Sequence, residues 1–183
     1  LIAHRGLLQH APENTMPAFA TCLELEMGFE LDIRTTKDGK LVVLHDATLV
    51  RTTNGPNRHL SEFTWKQLQK FDAGSWFDSR FTGVRVPSLE ETFALVKECK
   101  RRPTLLALNV KGITRDGERE LVRLLEKFKL FKESFAFDQS DECSERLKAL
   151  EPRIRIGRNV RREEIDSRLA EDTTDVYLLT SVP

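Results

Sequence analysis

Phe29-Glu30-Leu31-Asp32-Ile33-Arg34-Thr35 is the stretch on which the reading of the fold turns. Its apolar and acidic residues alternate with a period of two. Phe29, Leu31 and Ile33 therefore share one face of a strand, and Glu30 and Asp32 the other. Asp38-Gly39 then makes a turn into a second strand, Leu41 to Leu44. Upstream, Leu1 to Ala3 is a short apolar start broken by Arg5-Gly6. Met16, Phe19, Ala20, Leu23 and Met27 recur at helical spacing, with Asn14 and Thr15 as cap candidates, Pro17 in the first turn and Gly28 as the stop.

Downstream, residues 46–87 break the rhythm with turn residues and aromatics. Within them Thr64 and Gln67 have capping-box spacing, and Phe63 and Leu68 that of the matching hydrophobic staple. Ser88 and Glu91 repeat the box before a helix carrying Leu89, Phe93 and Val96. Strands at Leu105 to Val110, Ser134 to Phe137, Ile154 to Ile156 and Val176 to Leu179 follow. They alternate with helices marked by Leu121, Leu124, Leu125 and Phe128, by Leu147 and Leu150, and by Ile165 and Leu169. Repeated βα units imply a parallel sheet, either an open doubly wound one or a closed (β/α)8 barrel of TIM type; periodicity does not choose between them. A complete barrel takes roughly 250 residues. The 183-residue chain, counted as seven strands, is read as one domain over 1–183, with an insertion at 46–87 and one strand short at its C-terminal end. Such a barrel would leave edges unpaired, so the native chain is expected to continue past Pro183.

The 29 basic and 29 acidic side chains balance, which argues against nucleic acid held through its phosphates. No apolar run approaches the roughly 20 residues of a membrane span. A cytoplasmic and a secreted or periplasmic location both remain open. Cys22, Cys99 and Cys143 are scattered within helical patterns, which suits ordinary packed thiols better than a disulfide framework or zinc knuckle.

Polar residues gather where strands end: His4 after the first, Glu30 and Asp32 on the second, His45 and Asp46 after the third, Asn109 and Lys111 at the fourth. In a βα array these C-terminal ends open onto one face, where active sites form. Taken singly, a strand-end histidine or a Glu-x-Asp is most often an ordinary polar residue. Their coincidence on one face is the informative observation. Paired carboxylates repel and call for a cation, and oxygen donors suit Mg2+ or Ca2+. Histidines titrate near neutrality and suit acid/base work, while Arg5 and Lys111 could hold an anion. Together these are the parts that hydrolysis of a phosphate ester requires.

Ile2-Ala3-His4-Arg5-Gly6, Pro12-Glu13-Asn14-Thr15, Glu30-Leu31-Asp32 with Thr36-Lys37-Asp38-Gly39, Leu41-Val42-Val43-Leu44-His45-Asp46, Arg51-Thr52-Thr53 and Val86-Pro87-Ser88-Leu89-Glu90-Glu91 occur in that order. In these segments the chain resembles the glycerophosphodiester phosphodiesterases. The resemblance implies a (β/α)8 barrel with a small insertion after the third strand. It also implies His4 and His45 as the acid/base pair, Glu30 and Asp32 as metal ligands, and Arg5 and Lys111 as phosphate contacts. The family's third carboxylate ligand is replaced here by Asn109, whose amide oxygen can still ligate but adds no charge.

Glu13 is read as ordering Arg5 and the helix start, Asp138 as a candidate substrate contact, and His10 and His59 as solvated. The aromatics of the insertion are read as a local core more readily than as a substrate wall. The expected activity is metal-dependent hydrolysis of a small glycerophosphodiester to glycerol 3-phosphate and an alcohol. Two alternatives are a phospholipase of the sphingomyelinase-D kind and a silent barrel that binds a phosphorylated ligand.

Overall fold

The computed structural model describes residues 1–160 and 175–179. Its central strand is β2 (Gly28–Thr35), whose odd-numbered residues Phe29, Leu31 and Ile33 are all fully buried. β1 (Ile2–Ala3) pairs parallel with the first half of β2, matching Ala3 with Phe29. On the opposite edge β4 (Leu106–Val110) runs parallel to β2, and β5 (Ser134–Phe137) parallel to β4. A parallel bridge between Ala136 and Ile156 leads on to β6 (Gly157–Val160), which pairs parallel with β7 (Val176–Leu179). Helices α1 (Met16–Glu24), α3 (Leu89–Cys99), α4 (Arg115–Phe128) and α5 (Glu142–Leu150) alternate with these strands, as a (β/α) barrel requires.

The core lies between sheet and helices. Phe29, Leu31 and Ile33 of β2 and Leu106, Leu108 and Val110 of β4 pack against Phe19 and Leu23 of α1, Phe93 and Val96 of α3, and Leu121, Leu124 and Leu125 of α4. Phe19 and Phe29 stack with centroids 4.5 Å apart. Each such side chain contributes about 1.5–3 kcal/mol by leaving water. The other face of the sheet carries Ala107, Phe135 and Phe137 with Ile2, Val176 and Leu178, and near the strand ends it turns acidic at Glu30 and Asp32.

Three expectations are corrected. The strand at Leu41 to Leu44 is not a stave of the parallel array: β3 (Leu41–Val43) lies antiparallel on the second half of β2, beyond β1 and off the β1-β2-β4-β5 path. The turn joining them, closed by Thr36 N–H to Lys40 O at 3.0 Å, is far too short for a parallel crossover. The excursion at 46–87 follows this third strand in chain order. Secondly, Gly28 does not stop α1. The helix ends at Glu24 and closes through Glu26, at φ 54°, while Gly28 opens β2 because a Cβ there would meet the Leu105 carbonyl at 2.5 Å. Thirdly, β6 begins at Gly157 and not at Ile154. Ile154 and Ile156 are buried in the core, but only Ile156 forms a bridge, and the strand itself carries the less apolar Gly-Arg-Asn-Val. The helix expected around Ile165 and Leu169 lies outside the described residues.

The excursion builds its own small core from Val42, Leu44, Leu49, Leu60, Phe63, Leu68 and Val86, with Trp65 and Phe71 against it. Both capping boxes form, Thr64–Gln67 at α2 (Trp65–Leu68) and Ser88–Glu91 at α3. Thr64 N–H donates to Gln67 Oε1 at 2.9 Å, and Ser88 N–H to Glu91 Oε2 at 2.8 Å.

Candidate active site

Strand register brings the polar residues together. β2 and β4 set Asp32 beside Asn109, and the Asn109 Nδ2 donates to Asp32 Oδ1 at 3.1 Å. Lys111 Nζ stands 3.5 Å from the same oxygen. Leu44 N–H donates to Asp32 O at 3.0 Å, so His45 emerges directly beyond Asp32. His4 follows the Ala3–Phe29 pair, and Arg5, Asp32, Glu13 and His45 are the charged and titratable groups that act on it. Arg5 takes a left-handed backbone, φ 53°, which turns its N–H onto Glu30 Oε2 at 2.9 Å. Its guanidinium Nε then lies 3.4 Å from Asp32 Oδ2, and Nη1 donates to Glu13 Oε1 at 3.1 Å.

Asp32 is fully buried and Glu30 nearly so. Burial, and then the neighbouring Asp32 charge, push the Glu30 carboxyl up to about 7 against the opposing bonds from Arg5 N–H and the Asn109 amide. Glu30 Oε1 is buried without a hydrogen-bond partner. An oxygen left in that condition beside a second carboxylate fits a hard divalent cation. Among the described residues no three His, Cys, Asp or Glu side chains are grouped to hold a metal. As placed, Asn109 turns Nδ2 toward Asp32, so its amide must turn over to offer Oδ1.

The two histidines differ. His4 is exposed at the rim, yet the protein around it, and then the Arg5 cation, hold its pKa below the usual 6.5 despite Asp32 and Glu13. His45 lies 2.7 Å through Nδ1 from Asp46 Oδ1. Arg51 above all, with His45, holds Asp46 well below the usual carboxylate range. An ionised Asp46 favours the tautomer with a proton on Nδ1, leaving His45 Nε2 free. Beyond Lys111, a cavity of about 320 Å³ is lined by Arg34, Asp138, Glu142 and Arg146 among others.

Other sequence-singled residues find plain places. Asp138 is occupied at the start of α5, accepting from Ser144 N–H at 2.8 Å and Cys143 N–H at 3.2 Å. His10 and His59 are exposed. Asn14 is not a cap. It sits at φ 56°, donates through Nδ2 to Asp32 Oδ2 at 2.8 Å and accepts from Asp32 N–H at 3.3 Å. Sequence reasoning left Asp46 and Arg51 of this network without a role and read Asn14 as a helix cap. Only the coincidence of Asn14, Asp46 and Arg51 with the ordered motifs pointed to them.

The profile of the glycerophosphoryl diester phosphodiesterase family matches residues 4–170. The chain belongs to that family. A glycerophosphodiester phosphodiesterase of Caldanaerobacter subterraneus subsp. tengcongensis is 37% identical over 162 residues, covering 86% of this chain and 65% of the relative. The crystal structure of a glycerophosphodiester phosphodiesterase from Agrobacterium tumefaciens superposes with a TM-score of 0.83 at 27% identity, over 97% of this chain and 74% of that one. An Oleispira antarctica phosphodiesterase, solved in complex with the product sn-glycerol-3-phosphate, superposes with a TM-score of 0.71 at 27% identity, over 87% of this chain and 65% of that one. The chain spans 65% or less of the lengths of the first curated family members it matches. Among the described residues of this family member, no helix is long and apolar enough to cross a membrane.

Proposed function

We propose that this chain carries the catalytic centre of a divalent-cation-dependent phosphodiesterase that converts glycerophosphodiesters to glycerol 3-phosphate and an alcohol. The observation that carries the reading is the buried Glu30–Asp32 pair, with its partnerless Glu30 oxygen, facing two histidines and two cations in a member of this family. In the proposed roles Glu30 and Asp32 hold the cation, with Asn109 Oδ1 as a third donor, and Mg2+ and Ca2+ are the ions such oxygens prefer. When bound, the cation neutralises charge on the phosphoryl oxygens and acidifies the attacking hydroxyl.

His4, held neutral by its surroundings, takes the proton from the attacking oxygen, which belongs to water or to the glycerol C2 hydroxyl; in the second case the cyclic phosphate formed is opened by water, which adds to phosphorus as the bond to O2 breaks and O2 takes a proton. That oxygen bonds to phosphorus as the bond from phosphorus to the departing alcohol breaks. His45 Nε2 donates the proton that the departing oxygen needs, and Asp46 steadies the imidazolium before it does so. Arg5 and Lys111 offset the charge of the diester, and the cavity beside Lys111 receives the alcohol. Binding alone would need no carboxylate-oriented histidine, which disfavours the silent-barrel alternative. Phosphorus NMR of glycerophosphocholine incubated with protein and Mg2+ or Ca2+ tests the reading. A growing glycerol 3-phosphate resonance is expected; an unchanged diester with every ion refutes it.

A further inference from the structure

Arg51 lies in the excursion after β3, with its side chain 41% exposed, and no step above uses it. Its guanidinium spans two carboxylates from separate parts of the chain. Nε donates to Asp46 Oδ2 at 2.8 Å and Nη2 to Asp46 Oδ1 at 2.9 Å. On the Glu13 side, Nη2 donates to Oε1 at 2.7 Å and Nη1 to Oε2 at 2.8 Å. Asp46 in turn meets His45 Nδ1, and Glu13 meets Arg5. Arg34 fixes the same histidine from behind, donating through Nε and Nη2 to its carbonyl at 2.9 and 2.7 Å. The imidazole is thus held at its main chain by one arginine and at its ring, through Asp46, by the other.

We infer that Arg51 is a positioning residue: by gripping Asp46 through two bonds while anchored on Glu13, it fixes the rotamer and tautomer of His45. This rests on the proposed role of His45. Two features separate this from an ordinary surface ion pair, which is worth little. The guanidinium is planar and offers bidentate edges to two acceptors at once, a geometry an ammonium cannot copy. Each acceptor, in addition, spends another bond on a residue at the strand tips. The groups that face His45 are Asp46 and, behind it, Arg51; Arg34 at its carbonyl; and His4 across the site.

Steady-state kinetics on glycerophosphocholine with saturating cation, and 15N-detected imidazole spectra, test this on wild type, Arg51→Ala, Arg51→Lys, Asp46→Asn and the Arg51→Ala/Asp46→Asn double variant. Arg51→Ala is expected to lower kcat by about 10- to 100-fold, below the full contribution of about 10²–10⁴ from an acid/base group, with KM within about threefold. Arg51→Lys should recover part of the loss, and the double variant should fall no further than Asp46→Asn. The basic limb of the pH profile should move, and the protected His45 Nδ1–H resonance of the wild type should be lost in Arg51→Ala. Unchanged kcat in Arg51→Ala, multiplicative losses in the double variant, or an unaltered Nδ1–H signal each overturn the inference. An inactive wild type whose Nδ1–H signal still depends on Arg51 would instead refute the phosphodiesterase reading and leave the clamp standing.

Discussion

Asn14→Ala strikes the hidden support of the acidic pair. Asn14 is 2% exposed, sits at φ 56°, and donates to the Asp32 carboxylate at 2.8 Å. Losing a hydrogen bond to a charged, buried acceptor costs about 1.5–3 kcal/mol. Forcing alanine into the left-handed region costs about 1–2 kcal/mol more. A total of about 2.5–5 kcal/mol corresponds to roughly 5–20 °C in melting temperature for a domain of this size. Asn14→Gly separates the two terms, because glycine accepts the backbone and loses only the side chain's hydrogen bonds with Asp32; it should be about 1 kcal/mol less damaging than alanine. Calorimetry or circular dichroism melts of the three proteins supply the numbers. Asn14→Ala melting within about 2 °C of wild type, or Asn14→Gly proving the worse of the two, would refute the reasoning.

Other consequences are equally direct. Gly28→Ala should lose about 1–3 kcal/mol in urea unfolding, because the added Cβ would lie 2.5 Å from the Leu105 carbonyl, and wild-type stability there would contradict the packing argument. Burial raises the Glu118 carboxyl, but its ion pairs with Arg146 at 2.7 Å and Arg115 at 3.2 Å outweigh that and hold it below the usual range. Its contribution is therefore complete above the unfolded value, near about 4.3, and lost as pH falls through the depressed folded one. The stability gap between wild type and Glu118→Gln should accordingly shrink in acid, and a gap constant from neutrality to strong acid would count against it. Chelation with EDTA should end turnover of glycerophosphocholine, and Mg2+ or Ca2+ should restore it; turnover that survives chelation removes the cation from the account.

The alternation in β2 was readable because burial on one face demands it, and it correctly set Phe29, Leu31 and Ile33 inward to the helices and Glu30 and Asp32 on the other face. The antiparallel sense of β3 was also within reach, since a turn around Asp38-Gly39 cannot make a parallel crossover. Gly28 misled because its reason is a close approach to Leu105, a residue just before β4 and far away in sequence. β6 was displaced because Ile154 and Ile156 signal burial, whereas ladder pairing falls on residues with no apolar pattern. Asn14 mimics a helix cap in sequence, and only its left-handed backbone directs the amide to Asp32. Arg51 joins Asp46, five residues before it, to Glu13, 38 residues before it, and no local spacing encodes that link.

The most direct test of the central claim is a crystal soaked with glycerol 3-phosphate and Mg2+ or Ca2+. The account predicts ion density against Glu30 and Asp32, and the phosphate between Arg5 and Lys111 with His4 and His45 on either side. Density for the ligand elsewhere, for example in the groove around Phe131 and Arg153, with Glu30 Oε1 still without a partner, would contradict it.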